Sequence, residues 1–251
     1  MSSFVIETRE LAEEACELIE RHLEAFTSHH DFMNRHLSAG FLARCLALMR
    51  GILALGDADL DELCAVLFRV LLEACLLDLY VLLGDLDVLT ELAGDFQRNA
   101  KLLAERGKFE TPIDTGEGSF SVANRVNLEQ VAKKLGPLLE AAGDNNADAT
   151  GIYEMVYRFY STTAVHGVGT VFQYLVMPED AIWTIKLRPD SGGRSASELL
   201  LLSALYTMYF AQLAFEKWGY SSNAAADLLA RIASVADIHA PTSPERGSQF
   251  N

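Results

Sequence analysis

The sequence has few basic residues, and these are not clustered. Lys and Arg number 20 against 35 Asp and Glu in 251 residues, and the formal net charge at pH 7 is −15. A chain of this charge repels phosphate backbones and anionic lipid surfaces on average. Nucleic acid would need a local basic cleft, and no Lys/Arg cluster is present to build one. We therefore expect neither nucleic acid nor a membrane among its partners.

Metal and cofactor motifs are also missing. The cysteines have no Cys-x-x-Cys spacing, no histidine follows a glutamate by three residues, and no glycine loop ends in Lys-Ser or Lys-Thr. These absences argue against a zinc knot, a di-iron bundle and a P-loop. We predict no metal site and no cofactor. We also predict that the cysteines are reduced and buried within helices, namely Cys16, Cys45, Cys64 and Cys75.

The sequence has no secretory signal at its start and no convincing membrane span. Residues 1–11 contain Glu7, Arg9 and Glu10, where a signal would have a basic stretch followed by an apolar one. The apolar run 63–83 carries three charges near its centre, each costing on the order of 3 kcal/mol in a bilayer. The run 199–215 is marginal in length for spanning. We interpret both runs as core helices of a soluble, cytoplasmic protein.

Helical periodicity dominates the chain, and half of its residues are apolar, which is ample for a core. The pattern predicts a mainly α fold, with residues 1–237 as a single-domain bundle of about eight helices. Residues 107–124 have no helical period and are predicted to form a long loop, and residues 238–251 a disordered tail. The predicted helices are 4–26, 31–55, 60–83, 86–106, a short one from 127, 152–166, 199–218 and 223–236.

Local signals mark several helix ends. Capping boxes are predicted at Asp59-x-x-Glu62 and at Ser195-x-x-Glu198. Gly219 should end the helix that follows the second box. Gly136-Pro137 should interrupt or bend the helix that Asn127 caps.

Residues 182–188 show the one convincing strand pattern, because apolar and polar side chains alternate there. A strand cannot stand alone, since its backbone donors and acceptors need a ladder. The local candidate for its partner is 118–122. Failing that, the strand should pair with its copy in a second subunit, which would make the protein a homodimer.

Polar side chains interrupt the otherwise apolar helix 60–83. At 100° per residue Arg69, Glu73 and Tyr80 lie within about 40° of one another, whereas Asp78 points to the opposite side. Arg69 and Glu73 have the favourable four-residue spacing of a helical ion pair. They would either neutralise each other as a structural clamp between helices or leave Arg69 to an anionic ligand.

A second polar segment lies on the predicted helix 152–166. Arg158 and His166 fall on one strip of that helix. Its other polar face is made of hydroxyl side chains, which are Tyr157, Tyr160 and Ser161. Such side chains are usually satisfied by neighbours within a core.

We expect the two polar segments to meet in the fold. Buried charges need polar partners, and the second segment is the richest supply of them in the chain. Arg69 and Glu73 should therefore lie close to Tyr160, Ser161 or His166.

Three motifs follow one another along the chain in a recognisable order and spacing. They are Arg69-x-x-x-Glu73, then Leu128-Glu129-Gln130-Val131-Ala132-x-x-Leu135-Gly136, then Tyr157-x-x-Tyr160-Ser161-x-x-x-x-His166-Gly167. Over roughly residues 48–175 this arrangement resembles a helical bacterial family known only as a domain of unknown function. The resemblance implies an all-helical cytoplasmic domain whose polar set gathers at one place, and it implies no established activity.

Three functional hypotheses remain open. The leading one is a ligand-binding or regulatory domain for an anionic or polar small molecule, with a pocket lined by Arg69, Glu73, Tyr157, Tyr160, Ser161 and His166. The second is a metal-independent ribonuclease-like enzyme, with His166 as general base or acid and Arg158 or Arg69 stabilising the phosphorane charge. The third is a structural module that associates through its apolar helices.

Overall fold

The computed structural model describes residues 3–26, 33–58, 60–84, 88, 91–92, 127–143, 148–157, 175–176, 184–185 and 195–239. These residues are mostly helical, which confirms the predicted fold class. The helices are α1 Ser3–Glu24, α2 Met33–Asp57, α3 Asp61–Leu83, α4 Leu128–Ala141, α5 Ala149–Gly151, α6 Ala196–Trp218 and α7 Asn223–His239. A π-helical turn, Ile152–Tyr157, directly follows α5.

The helix α6 lies at the centre of the helical packing and contacts α1, α2, α3 and α7. Its sequence is apolar on nearly every side, and such a helix belongs in a core. Leu199, Leu200 and Leu201 point in directions about 100° apart and are all buried. The run 199–215 is therefore central to the fold, as the sequence predicts.

Both predicted ends of α6 are confirmed. The Ser195 hydroxyl accepts a hydrogen bond from the backbone N–H of Glu198 at 3.4 Å, and the Glu198 carboxylate accepts one from the backbone N–H of Ser195 at 2.8 Å. These reciprocal bonds satisfy two donors that a helix start leaves unpaired. Gly219 ends the helix in the left-handed region, with φ of 86°.

The capping box predicted at Asp59 is wrong. The residue that precedes α3 is Leu60, whose side chain cannot cap, and Asp59 lies outside the described residues. The backbone N–H of Leu60 donates to the carbonyl of Leu55 at 3.0 Å. This bond closes a tight turn between α2 and α3, and the turn fixes where α3 begins.

The interruption predicted at Gly136-Pro137 does not occur, and the alternative of a bend there stays a prediction. Asn127 caps α4 as expected, but the helix continues through Pro137 to Ala141. A proline inside a helix costs about 3 kcal/mol because it removes one hydrogen bond and crowds the preceding turn. Burial of Val131, Leu135 and their neighbours against α3 outweighs that cost.

The predicted strand is present, with a different partner. β2, Thr184–Ile185, lies inside the predicted range and pairs antiparallel with β1, Leu175–Val176. The register places Leu175 opposite Ile185. The predicted partner, 118–122, lies outside the described residues. A hairpin closes a far shorter loop than pairing with 118–122 would, so its entropic cost is lower.

The helices α2 and α3 pack along a seam of buried residues at alternating four- and three-residue spacing. On α2 the seam is Ser38, Leu42, Cys45, Met49 and Ile52, and on α3 it is Cys64, Phe68, Leu71, Cys75 and Asp78. The helices run antiparallel, because Cys64 Sγ lies 3.7 Å from the Ile52 carbonyl oxygen and Cys75 Sγ lies 3.7 Å from Cys45 Sγ. All four cysteines of the chain are free and buried, as predicted.

A buried polar cluster occupies one end of this seam, where Ser38, Cys45, Cys75 and Asp78 meet Thr207 of α6. Asp78 is 1% exposed, and no group among the described residues satisfies either carboxyl oxygen. The Ser38 hydroxyl faces this carboxyl, but the two groups fall short of hydrogen-bond geometry. Burial raises the pKa of Asp78 from its usual 3.8 to about 8, and Ser38 offsets only part of that rise.

Two helices of the described residues are long and apolar enough to cross a membrane, judged by length and composition alone. They are Asn34–Asp57 and Ala196–Trp218. A buried core helix passes the same test, and α6 contacts four other helices. The run 199–215 lies within α6 and is common to both criteria, whereas 63–83 stands out only in the sequence and α2 only in the structure. The absence of a membrane partner stays a prediction.

Alanine substitutions at two glycines should have opposite effects on stability, because the two backbone conformations differ. Gly219→Ala should lower the free energy of unfolding by about 1 kcal/mol, because alanine is strained at positive φ. Gly40→Ala should raise it by up to about 1 kcal/mol, because Gly40 lies inside α2 with open space around it. Urea unfolding of both variants measures the difference. A Gly219→Ala variant as stable as the unmodified protein would contradict the left-handed end of α6.

Candidate functional site

The helix α3 is covered on two sides by different partners. Its seam face packs on α2 and α6, and it also contacts α4 and the π-helical turn. Arg69, Glu73 and Tyr80 lie on the side away from Asp78, within about 40° of one another. Tyr80 reaches a side chain of α4, so this polar face of α3 is the face that α4 covers.

A hydrogen-bonded triad of Tyr80, Lys134 and Glu91 is the centre of this face. The Lys134 ammonium donates to the Tyr80 hydroxyl at 3.0 Å and to Glu91 Oε2 at 2.9 Å. The Tyr80 hydroxyl in turn donates to Glu91 Oε2 at 2.9 Å. Tyr80 is 2% exposed, whereas the Lys134 side chain is half-exposed. The triad thus joins a buried hydroxyl to a cation that solvent can reach.

Each member of the triad holds its neighbour in one protonation state. Burial raises the pKa of Tyr80, so its hydroxyl stays protonated and can donate. Hydrogen bonds to Tyr80 and Glu91 raise the pKa of Lys134. Burial tends to raise the pKa of Glu91, but the bonds from Lys134 and Tyr80 outweigh it and lower that pKa. The site therefore carries one fixed positive and one fixed negative charge near neutral pH.

The chain places Glu91 beside Tyr80 by turning sharply at Gly84. A side chain there would come within 2.5 Å of the Tyr80 carbonyl oxygen and of Val88, so only glycine fits. The Gly84 carbonyl accepts a hydrogen bond from Asn34 of α2 at 3.1 Å. Val88 is buried, which anchors the segment one turn before Glu91.

The helix α4 places Lys134 through its buried stripe. Val131, Ala132, Leu135 and Leu139 are buried, and α4 packs on α3. This arrangement leaves Lys133 and Lys134 at the edge of the stripe with different partners. Lys134 reaches across to Tyr80, whereas Lys133 bonds to Glu129 of its own helix at 2.7 Å.

Arg69 and Glu73 lie on the same face of α3, two to three turns before Tyr80. Both are half-buried, as the apolar surroundings in the sequence suggest. At 1.5 Å per residue Arg69 and Tyr80 are about 16 Å apart along the helix. This strip of α3 therefore has a cation near each end, with the buried Leu76 between Glu73 and Tyr80.

Most of the second polar segment lies outside the described residues. Those residues are Arg158, Tyr160, Ser161 and His166. Tyr157 ends the π-helical turn, and its side chain is not described. The turn itself contacts α3 and α4, so the start of the predicted helix 152–166 lies against both. Whether Arg69 and Glu73 meet Tyr160, Ser161 or His166 stays a prediction.

Sequence reasoning does not find Lys134 or Glu91. Lys134 is one of two adjacent lysines on an amphipathic helix, and its sequence neighbours do not distinguish it from Lys133. A weak signal exists, since Lys134 lies one residue before the buried Leu135 and one turn after Val131. Glu91 belongs to a predicted helix whose direction relative to α3 depends on the turn at Gly84.

The described residues also form a small cleft of about 60 Å³ between the ends of α1, α2 and α6. Its floor is mostly apolar, with Ile52 and Leu200 among its residues, and Arg9 is its cation. Arg9 already forms ion pairs with Asp57 and Glu13. Because two carboxylates neutralise that cation, the cleft is a weaker anion site than the face of α3.

No family model, curated protein or solved structure matches this chain. The resemblance to the helical bacterial family therefore stays a prediction, and so does what that resemblance implies.

Substitutions at two neighbouring lysines, Lys134 and Lys133, test whether the triad stabilises the fold. Lys134→Met should lower the free energy of unfolding by about 1 kcal/mol at pH 7, because it removes two charge-assisted hydrogen bonds at a half-exposed position. Lys133→Met should change the free energy of unfolding much less, because its ion pair is exposed and local. Chemical unfolding measures both variants.

The difference in free energy of unfolding between Lys134→Met and Lys133→Met should depend on pH. A carboxylate whose pKa is lowered in the folded state adds stability above its ordinary pKa, here 4.5, and loses it as the pH falls further. The difference between the two variants should therefore shrink below pH 4.5. An equal effect of both substitutions at pH 7 would show that Lys134 is not held by the triad.

Proposed function

We propose that this protein is a small-ligand-binding helical domain whose site is the polar face of α3. The observation that carries the proposal is the triad, in which a half-exposed Lys134 is fixed by a buried Tyr80 and by Glu91. Fixed, partly desolvated charges at the edge of a helical core are common in binding sites. We place the protein in the cytoplasm and treat its helices as one bundle, in line with the sequence.

The chemistry of the face favours an anionic or polar ligand. The Lys134 ammonium has three hydrogen-bond donors and uses two of them on Tyr80 and Glu91. The third donor is left for a ligand oxygen. Arg69, at the other end of the strip, adds a second cation with a planar set of donors suited to a carboxylate or phosphate.

The remaining predicted residues would line the opposite wall. The π-helical turn contacts α3 and α4, and such turns are frequent at functional sites. If the helix continues along α3, it brings Tyr160, Ser161 and His166 towards Arg69 and Glu73. Their hydroxyl and imidazole groups would then complete a polar pocket between helices.

The two alternative functions have less support. The ribonuclease-like hypothesis depends on His166 and Arg158, which lie outside the described residues, and on nucleic acid approaching an acidic chain. We expect no cleavage of single-stranded RNA in EDTA. The interaction-module hypothesis has no specific surface in its favour among the described residues.

Ligand binding can be tested by thermal unfolding with four probes, namely inorganic phosphate, citrate, adenosine monophosphate and glutamate. At least one should raise the melting temperature, because a ligand at 100 times its Kd stabilises the folded state by about 2.7 kcal/mol. Lys134→Met and Arg69→Met should each remove most of that rise. Lys133→Met, the matched control, should keep it.

Two outcomes would contradict the proposal. One is a melting temperature that none of the four probes changes. The other is a rise that survives in both Lys134→Met and Arg69→Met, because binding would then take place elsewhere on the protein.

A further inference from the structure

Asp78 occupies a position that an ionised carboxylate would not tolerate. It lies in the seam between α2 and α3, where every other seam residue of α3 is apolar or a thiol. Neither of its oxygens has a partner, and the hydroxyls of Ser38 and Thr207 are buried without partners as well. A buried charge is normally paired or bound to a metal, and otherwise the group becomes neutral. No group of three or more metal-ligating side chains is found among the described residues.

We propose that the contact between α2 and α3 is a proton-controlled joint, in which Asp78 sits as the neutral acid and the helices part when it ionises. As the neutral acid, Asp78 has one O–H group that needs an acceptor. The Ser38 hydroxyl that faces it can accept that hydrogen bond. As the carboxylate, Asp78 needs water, and water reaches it only if the seam opens. This inference is independent of the proposed ligand site.

The groups that face Asp78 offer no compensating charge. Among the described residues they are Ser38 of α2 and the Cys75 thiol of α3 itself, and Cys75 in turn contacts Cys45 of α2 and Thr207 of α6. The only titratable groups among these are the two thiols, and burial raises the pKa of Cys75, so that thiol stays neutral. Charged side chains of the described residues are not among the causes of the shift at Asp78.

The position of Asp78 explains why the opening is local. Ser38 lies five residues after the start of α2, and Asp78 lies five residues before the end of α3. In the antiparallel pair both are within two turns of the same end. Separating that end hydrates Asp78 without disturbing the other end, where Cys64 contacts Ile52.

The direction of the pH effect follows from linkage. The acid binds its proton more tightly in the closed state, where its pKa is about 8, than in the opened state, where the pKa returns towards 3.8. Between these values the opened state holds fewer protons. Opening therefore becomes about tenfold easier per pH unit up to about pH 8 and levels off above it.

The thiols of the seam report the opening directly. We would label the full chain with N-ethylmaleimide between pH 5.5 and 9 and resolve each cysteine by peptide mass spectrometry. The labelling rates of Cys45 and Cys75, each divided by the rate of free cysteine at the same pH, should rise about tenfold per pH unit and flatten near pH 8. Complete unfolding also ionises Asp78, so Cys64 serves to separate local opening from unfolding, and it should be labelled more slowly than Cys45 and Cys75 at every pH. Cys64 is the matched control, because it lies on the same helix and is equally buried.

Asp78→Asn provides the second comparison, because it keeps the size and polarity of the side chain and removes the titration. The labelling rates of Cys45 and Cys75 in this variant, divided by the rate of free cysteine in the same way, should not change with pH. Wild-type rates that do not change with pH after this division would overturn the joint. Cys64 labelling as fast as that of Cys45 and Cys75 would also overturn it, since the whole protein would then be unfolding. The wild-type measurement decides the question even if Asp78→Asn does not fold.

Discussion

Two-sided coverage of α3 is the constraint on which the rest of the structure depends. One side of this helix carries a seam that packs on α2 and α6, and another carries Tyr80, Glu73 and Arg69. A helix of this kind cannot sit at the surface of a bundle. It needs an apolar partner surface on one side and a partner with polar edges on the other. The helix α4 meets the second need, because its buried stripe lies next to Lys134.

Sequence reasoning succeeds where the signal is local. The capping box at Ser195 and the glycine end at Gly219 depend on a few adjacent residues, and both are found where expected. It fails where tertiary packing or the direction of the chain determines the local structure. Pro137 should break α4 by local rules, yet burial against α3 carries the helix through it. The sequence favours 118–122 as the partner of the strand, whereas the nearer segment β1 pairs with it.

The candidate site likewise combines residues that local helix geometry predicts with residues that only tertiary packing brings together. Arg69, Glu73 and Tyr80 share a face because of helical geometry, which the sequence contains. Glu91 and Lys134 join that face through a turn at Gly84 and through the packing of a helix that begins some fifty residues after Tyr80. The sequence did contain one further signal, since Asp78 stands at the next seam position after Cys75 in a four-and-three spacing. An acidic residue at such a position marks a polar layer in an apolar interface.

The unpaired carboxyl of Asp78 also bears on calorimetry. At pH 7 the folded chain keeps a proton on Asp78 that the unfolded chain does not, so unfolding releases about one proton into the buffer. The heat measured on unfolding then includes the heat with which the buffer takes up that proton. Enthalpies of unfolding for this protein are therefore comparable between experiments only when the buffer is the same.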